Sequence, residues 1–116
     1  MSLFGYTEDY MEDFLSLDQL LVKNRESTFF LRASGNSMAP LIHPDDVLVV
    51  DRSVKPLSGT IVVVTLDGER LCKRLSLKNG KTLLCSENSE CKPIEIGDDQ
   101  NLVIFGKVVG IARAMK

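Results

Sequence analysis

The sequence predicts a mainly β domain, a strongly bent antiparallel sheet with one short N-terminal helix. Three observations carry that prediction. Short runs rich in Val, Ile, Leu, Phe and Thr recur along the chain, separated by turn residues, which is the pattern of strands. Two separators, Asp67-Gly68 and Asn79-Gly80, are two-residue hairpin signals, because both residue types accept the positive φ of a tight hairpin. Helical spacing of apolar residues is confined to one stretch near the N-terminus.

Residues 1–15 read as an arm. Met1-Ser2-Leu3 has the look of a leftover from expression. The arm holds four of the seven aromatic residues, Phe4, Tyr6, Tyr10 and Phe14. A solvated tail would not be so aromatic, so the arm is expected to dock, on its own domain or on a partner. Ser16 followed by Gln19 has capping-box spacing, and Leu17, Leu20 and Leu21 then share a helical face, predicting a helix over about 17–24. The expected strands are 29–33, 47–51, 60–66, 70–77 and 81–86. The segment LVIFGKVVGIARAM closes the chain as one long strand or two, with Gly106 and Gly110 at bulges or bends. Residues 16–116 are thus one domain, of a size for a single core.

Composition narrows the function. Hydrophobic residues are 44% and charged residues 26%, a soluble balance. No apolar run approaches the ~18 residues of a membrane span, and no signal peptide is expected. The net charge of −2 argues against a dedicated nucleic-acid binder. Residues 1–20 carry Glu8, Asp9, Glu12, Asp13 and Asp18 and no Lys or Arg. Cys72, Cys85 and Cys91 form no CxxC pair and are expected as free thiols, and no metal site or cofactor is expected. The single histidine, His43, precedes Pro44 in a turn and reads as a surface residue, which leaves no Ser-His-Asp triad.

Two residues stand out chemically. The stretch SGNSMAP places Ser37 on a tight turn just after an apolar run. Such a serine caps backbone groups, or it is a nucleophile held clear of the sheet. The hairpin strand GERLCKRLSLK alternates faces: Glu69, Leu71, Lys73, Leu75 and Leu77 on the core side, Arg70, Cys72, Arg74, Ser76 and Lys78 on the polar side. Lys73 therefore sits in the middle of the apolar face. Either its stem packs there while its head reaches solvent, or it is buried. Burial disfavours an ammonium, and a neutral amine is a general base. A serine hydroxyl needs such a base to become a nucleophile, and Ser-Lys pairs are a known alternative to the triad.

These residues resemble the LexA/UmuD family of self-cleaving serine peptidases. SGNSMAP is similar to the family's Ser-Gly-x-Ser-Met box, and LCKRL to the segment that carries its catalytic lysine. DYMEDFLSLDQLLVKN, TFFLRASGNSM, DDVLVVDRS, GTIVVVTLDGE and VIFGKVVGIARAMK resemble the UmuD branch in order and spacing, over roughly residues 9–116. The resemblance implies the bent antiparallel peptidase fold of the family's C-terminal domain. It implies Ser37 as nucleophile, Lys73 as general base, an oxyanion hole from the backbone N–H groups of Asn36 and Ser37, and Met38 packed beneath the serine. It further implies a cytoplasmic bacterial homodimer of the SOS response. A RecA filament on single-stranded DNA would stimulate cleavage of an N-terminal tail. The trimmed protein would join a UmuC-like subunit in an error-prone translesion polymerase.

Two departures bear on this. Asn36 replaces an acidic residue common at that place. The family's Cys-Gly or Ala-Gly scissile bond is absent, so the chain resembles the trimmed form; Phe4-Gly5 lies near the expected junction. In that form Tyr6, Tyr10 and Phe14 would pack on the dimer or face the polymerase. The alternative within the family is the self-cleavage and dimerisation half of a LexA-like or phage repressor. A signal peptidase would need a membrane anchor, and a non-enzymatic interaction domain would carry a decayed site.

Overall fold

The computed structural model describes residues 16–115. The arm and its expected docking lie outside the described residues. The chain runs through helix α1 (Leu17–Leu21), a 3-10 turn (Arg25–Ser27) and strands β1 (Thr28–Arg32), β2 (Val47–Asp51), β3 (Ile61–Leu66), β4 (Glu69–Lys78), β5 (Lys81–Cys85), β6 (Ile94–Glu95) and β7 (Leu102–Ala112). All pairings are antiparallel, in the order β1-β2-β7-β3-β4-β5-β6.

Helix α1 is shorter than its periodicity predicts. Ser16 caps it by accepting the Asp18 amide at 3.2 Å. At Val22 the backbone is already extended, and Asn24 caps the separate 3-10 turn by accepting the Glu26 amide. The helix ends once Leu21 lies over β7 at Gly110, where an added Cβ would come within 2.6 Å of a Leu21 methyl.

The hairpin signals form their turns. Asp67 and Gly68 have φ of 50° and 88°, and Asn79 and Gly80 of 52° and 75°, the double positive φ that suits the strand twist. The closing segment is one strand with two bulges. Val49 and Val50 face Gly110 and Val108, skipping Val109, and Val63 and Val64 face Gly106 and Ile104, skipping Phe105. The extra residues increase local twist, which curls the sheet. Gly106 is required there, because a Cβ would approach Val50 to 2.8 Å and the Asp51 carbonyl to 3.1 Å. Strand β6 carried no sequence signal; two residues after Pro93 are too short to show alternation.

The curled sheet buries both faces, each at a different end. One cluster contains Met38, Ile42, Leu48, Val50 and Val63. The other contains Val62, Val64, Leu75 and Leu84. Full burial of each such side chain is worth about 1.5–3 kcal/mol. The expectation of a wholly polar second face on β4 needs correction. Cys72 packs against the Met38 cluster, because the loop after β1 folds back over that part of the sheet. Leu77 and Glu69, expected on the core face, are exposed where β4 outruns its cover.

Candidate functional site

The loop between β1 and β2 carries Ser37. It leaves the sheet after Ala33 and is closed at its base, where Asp45 donates its amide to the Ala33 carbonyl and Ala33 donates to the Asp46 carbonyl, at 2.9 and 2.8 Å. Gly35 takes φ +75°, turning the chain sharply before the serine. A turn from Asn36 to Ala39 (3.1 Å) and a bond from the Ile42 amide to the Met38 carbonyl (2.9 Å) shape the rest. Met38 and Ile42 are the loop's apolar anchors, 4% and 3% exposed. Ser37, between them and solvent, is half-buried.

A buried carboxylate locks this loop. Asp46 is 1% exposed and accepts the His43 amide at 2.7 Å and the Arg113 guanidinium at 2.6 and 2.7 Å. The Arg113 bonds, reinforced by the His43 amide, hold its carboxyl well below the usual carboxylate range despite burial. Arg113 follows β7, so one ion pair ties the end of the sheet to the serine loop. His43 is exposed, as expected, with its ring against the Pro40 carbonyl.

Lys73 comes from the middle of β4, paired with Val62. Alternation places it between Leu71 and Leu75, and it is 9% exposed. The amine donates to Ser86 Oγ at 2.9 Å, and among the described residues its hydrogen-bond partner is Ser86 rather than Ser37.

Ser37 and Lys73 nevertheless line one cavity of about 330 Å³, with Met38, Ala33, Val63 and Cys72 in its apolar wall. Arg32, Glu69 and Arg70 also line it. Burial pushes the Cys72 thiol up to about 11, against the pull of Lys73, so it is a neutral wall residue at pH 7. Cys72, Cys85 and Cys91 are half-buried free thiols. Among the described residues no cluster of His, Cys, Asp or Glu could hold a metal ion, and no helix is long and apolar enough to cross a membrane.

Sequence reasoning singled out Ser37 and Lys73 but missed the third segment around them. Ser86, Glu87 and Asn88 follow β5. Asn88 donates its amide to the Ser37 carbonyl at 2.9 Å and its side chain to the Asn36 carbonyl at 3.3 Å. The available signal was register. Arg74 pairs with Cys85, so Ser86 lies opposite Lys73 one residue further along the hairpin.

The chain is similar to known proteins over most of its length. The model of the Peptidase S24-like family matches residues 3–109. Protein SamA of Salmonella typhimurium is 43% identical over 77 residues, covering 66% of this chain and 55% of SamA. Protein ImpA of Escherichia coli is 39% identical over 105 residues, covering 89% of this chain and 70% of ImpA. The LexA repressor of Photorhabdus laumondii is 34% identical over 108 residues, covering 91% of this chain and 53% of the repressor. The chain therefore spans little more than half the length of SamA and of LexA.

Proposed function

The chain belongs to the Peptidase S24-like family, the LexA/UmuD-type self-cleaving serine peptidases, and from that premise we propose that it is a UmuD-like SOS mutagenesis protein with a Ser37–Lys73 dyad. The observation that supports this most is the convergence of a turn serine and a buried lysine on one cavity that no histidine of the chain lines.

The chemistry follows from the groups present. Lys73 accepts the Ser37 hydroxyl proton as Oγ attacks a peptide carbonyl. The backbone N–H groups of Asn36 and Ser37 stabilise the oxyanion, commonly the largest catalytic contribution. The Lys73 ammonium returns the proton to the leaving amine, and water then hydrolyses the acyl-serine by the same route. Hydrogen bonds of this kind often tighten only with substrate in place, so the Lys73–Ser86 bond is compatible with the scheme.

The substrate is an N-terminal tail bearing an Ala-Gly or Cys-Gly bond, delivered within a homodimer where effective concentration is high. RecA filaments on single-stranded DNA stimulate the cleavage. The trimmed protein serves a UmuC-like translesion polymerase subunit in the bacterial cytoplasm. The LexA match supports the repressor alternative less, since it is less identical than SamA and ImpA.

The test is cleavage in trans. This chain is mixed with a Ser37→Ala copy carrying such a tail, with and without RecA filaments, and intact mass is followed. Specific tail loss is expected. A folded, dimeric but inert protein would remove the peptidase activity from this reading and leave polymerase binding to be tested alone.

A further inference from the structure

We propose that Ser86 and Asn88 are positioning residues, and that the segment Ser86–Asn88 is a clamp aligning the nucleophile with its base. This rests on the reading of Ser37 and Lys73 as the dyad. Those two residues come from distant parts of the sheet. The serine loop leaves the edge strand β1, while β4 stands fifth in the order β1-β2-β7-β3-β4-β5-β6. No ladder hydrogen bond joins them, so their relative placement needs another connection.

Three consecutive residues provide it. Ser86 Oγ receives the Lys73 amine at 2.9 Å. Glu87 grips the Arg74 guanidinium with both oxygens, at 2.8 and 3.0 Å, and Arg74 also donates to the Gly59 carbonyl at 2.7 Å. Asn88 holds the carbonyls of Asn36 and Ser37. Asn88 is itself fixed, its side chain accepting the Glu90 amide at 3.0 Å and its carbonyl the Cys91 amide at 3.0 Å. The middle residue pins the segment to β4, and its neighbours reach the two halves of the dyad.

Each contact has a consequence for the reaction. A neutral amine has two N–H bonds and one lone pair. Committing one N–H to Ser86 restricts rotation of the head group, so the lone pair has fewer directions to sample. A peptide unit is planar and trans, with its C=O and N–H pointing opposite ways. By holding the Asn36 carbonyl, Asn88 sets the direction of the Ser37 N–H, one of the two oxyanion donors. The clamp thus orients base and oxyanion donor together.

The experiment is the trans-cleavage assay with the enzyme chain carrying Ser86→Val, Ser86→Thr, Ser86→Ala or Asn88→Ala, each with its thermal midpoint measured. Val and Thr have nearly the same shape and differ in the hydroxyl. Misplacement by about 1 Å can cost on the order of a hundredfold in rate, so Ser86→Val and Ser86→Ala should slow tail loss tenfold to a hundredfold. Ser86→Thr should recover most of that rate, and Asn88→Ala should be slowed comparably. Equal rates for the Val and Thr variants, whether fast or slow, would overturn the clamp while leaving the dyad intact, as would a full-rate Ser86→Ala should Val not fold. An inert parent chain would overturn the dyad reading and the clamp with it.

Discussion

The serine half and the lysine half of the site are held by different means. Ser37 stands on an irregular loop that no ladder can place. It is specified by a buried polar lock, with Asp46 at 1% exposure gripped by Arg113 and His43, and by Met38 and Ile42 driven into the core. The backbone of Lys73 needs no such lock. Register with Val62 fixes its backbone, and alternation aims it inward. Its polar support is drier at the amine than further out, where Arg74 and Glu87 are 36% and 26% exposed. A residue on a loop requires dedicated bonds to hold it, whereas a residue on a strand inherits its position and the fold bears the cost of burying it.

That contrast can be broken most sharply at the two residues of the proposed dyad. Ser37→Ala and Lys73→Met should each reduce tail cleavage by on the order of a thousandfold or more, since members of a catalytic unit fail together. The two should differ in stability. Ser37→Ala leaves the core untouched, while Lys73→Met replaces a buried amine with a thioether of similar length. If about 1 kcal/mol is recovered, the thermal midpoint rises by roughly 4–8 °C. An unchanged or lower midpoint in a melting curve would show that the buried amine carries no such cost.

The cores beneath the two halves come next. Leu84, 0% exposed and paired with Leu75 of β4, should cost about 2–5 kcal/mol when changed to Ala, read by denaturant unfolding.

Asp46→Asn tests the lock on the serine side. Because the folded carboxyl is held below its usual range, the stability it contributes is full above the unfolded value. That contribution is lost as pH falls from there toward the folded one. The variant should therefore be less stable than the parent at pH 7, and the gap should close as pH drops below about 4. A gap independent of pH would mean the ion pair is not its source. On the lysine side, Glu87→Gln should cost under about 1 kcal/mol, with sensitivity to salt, because the Arg74 pair is partly exposed.

How much of this was legible in sequence follows the same division. The strand carrying Lys73 was legible because period-2 alternation is local, and so were the two hairpins, whose dipeptides demand positive φ. The bulges at Gly106 and Gly110 were visible as glycines inside a strand pattern. The cover over Cys72 was not legible, since it depends on a loop returning from β1. The Asp46–Arg113 pair spans 67 residues and leaves no local trace. Helix α1 ran short because packing of Leu21 on Gly110, not periodicity, sets its end. Ser86 and Asn88 read as ordinary turn residues, and only the β4–β5 register reveals what they face.

The central claim is that Lys73 is the base for Ser37, and chemical rescue tests it most directly. The rate of tail loss in trans would be measured for Lys73→Ala across a series of small primary amines, which fit the space left in the cavity. The account predicts a nearly inactive variant whose cleavage returns in proportion to the free-base amine and stays absent when Ser37→Ala is added. A Lys73→Ala chain that cleaves at the parental rate without any amine would contradict it.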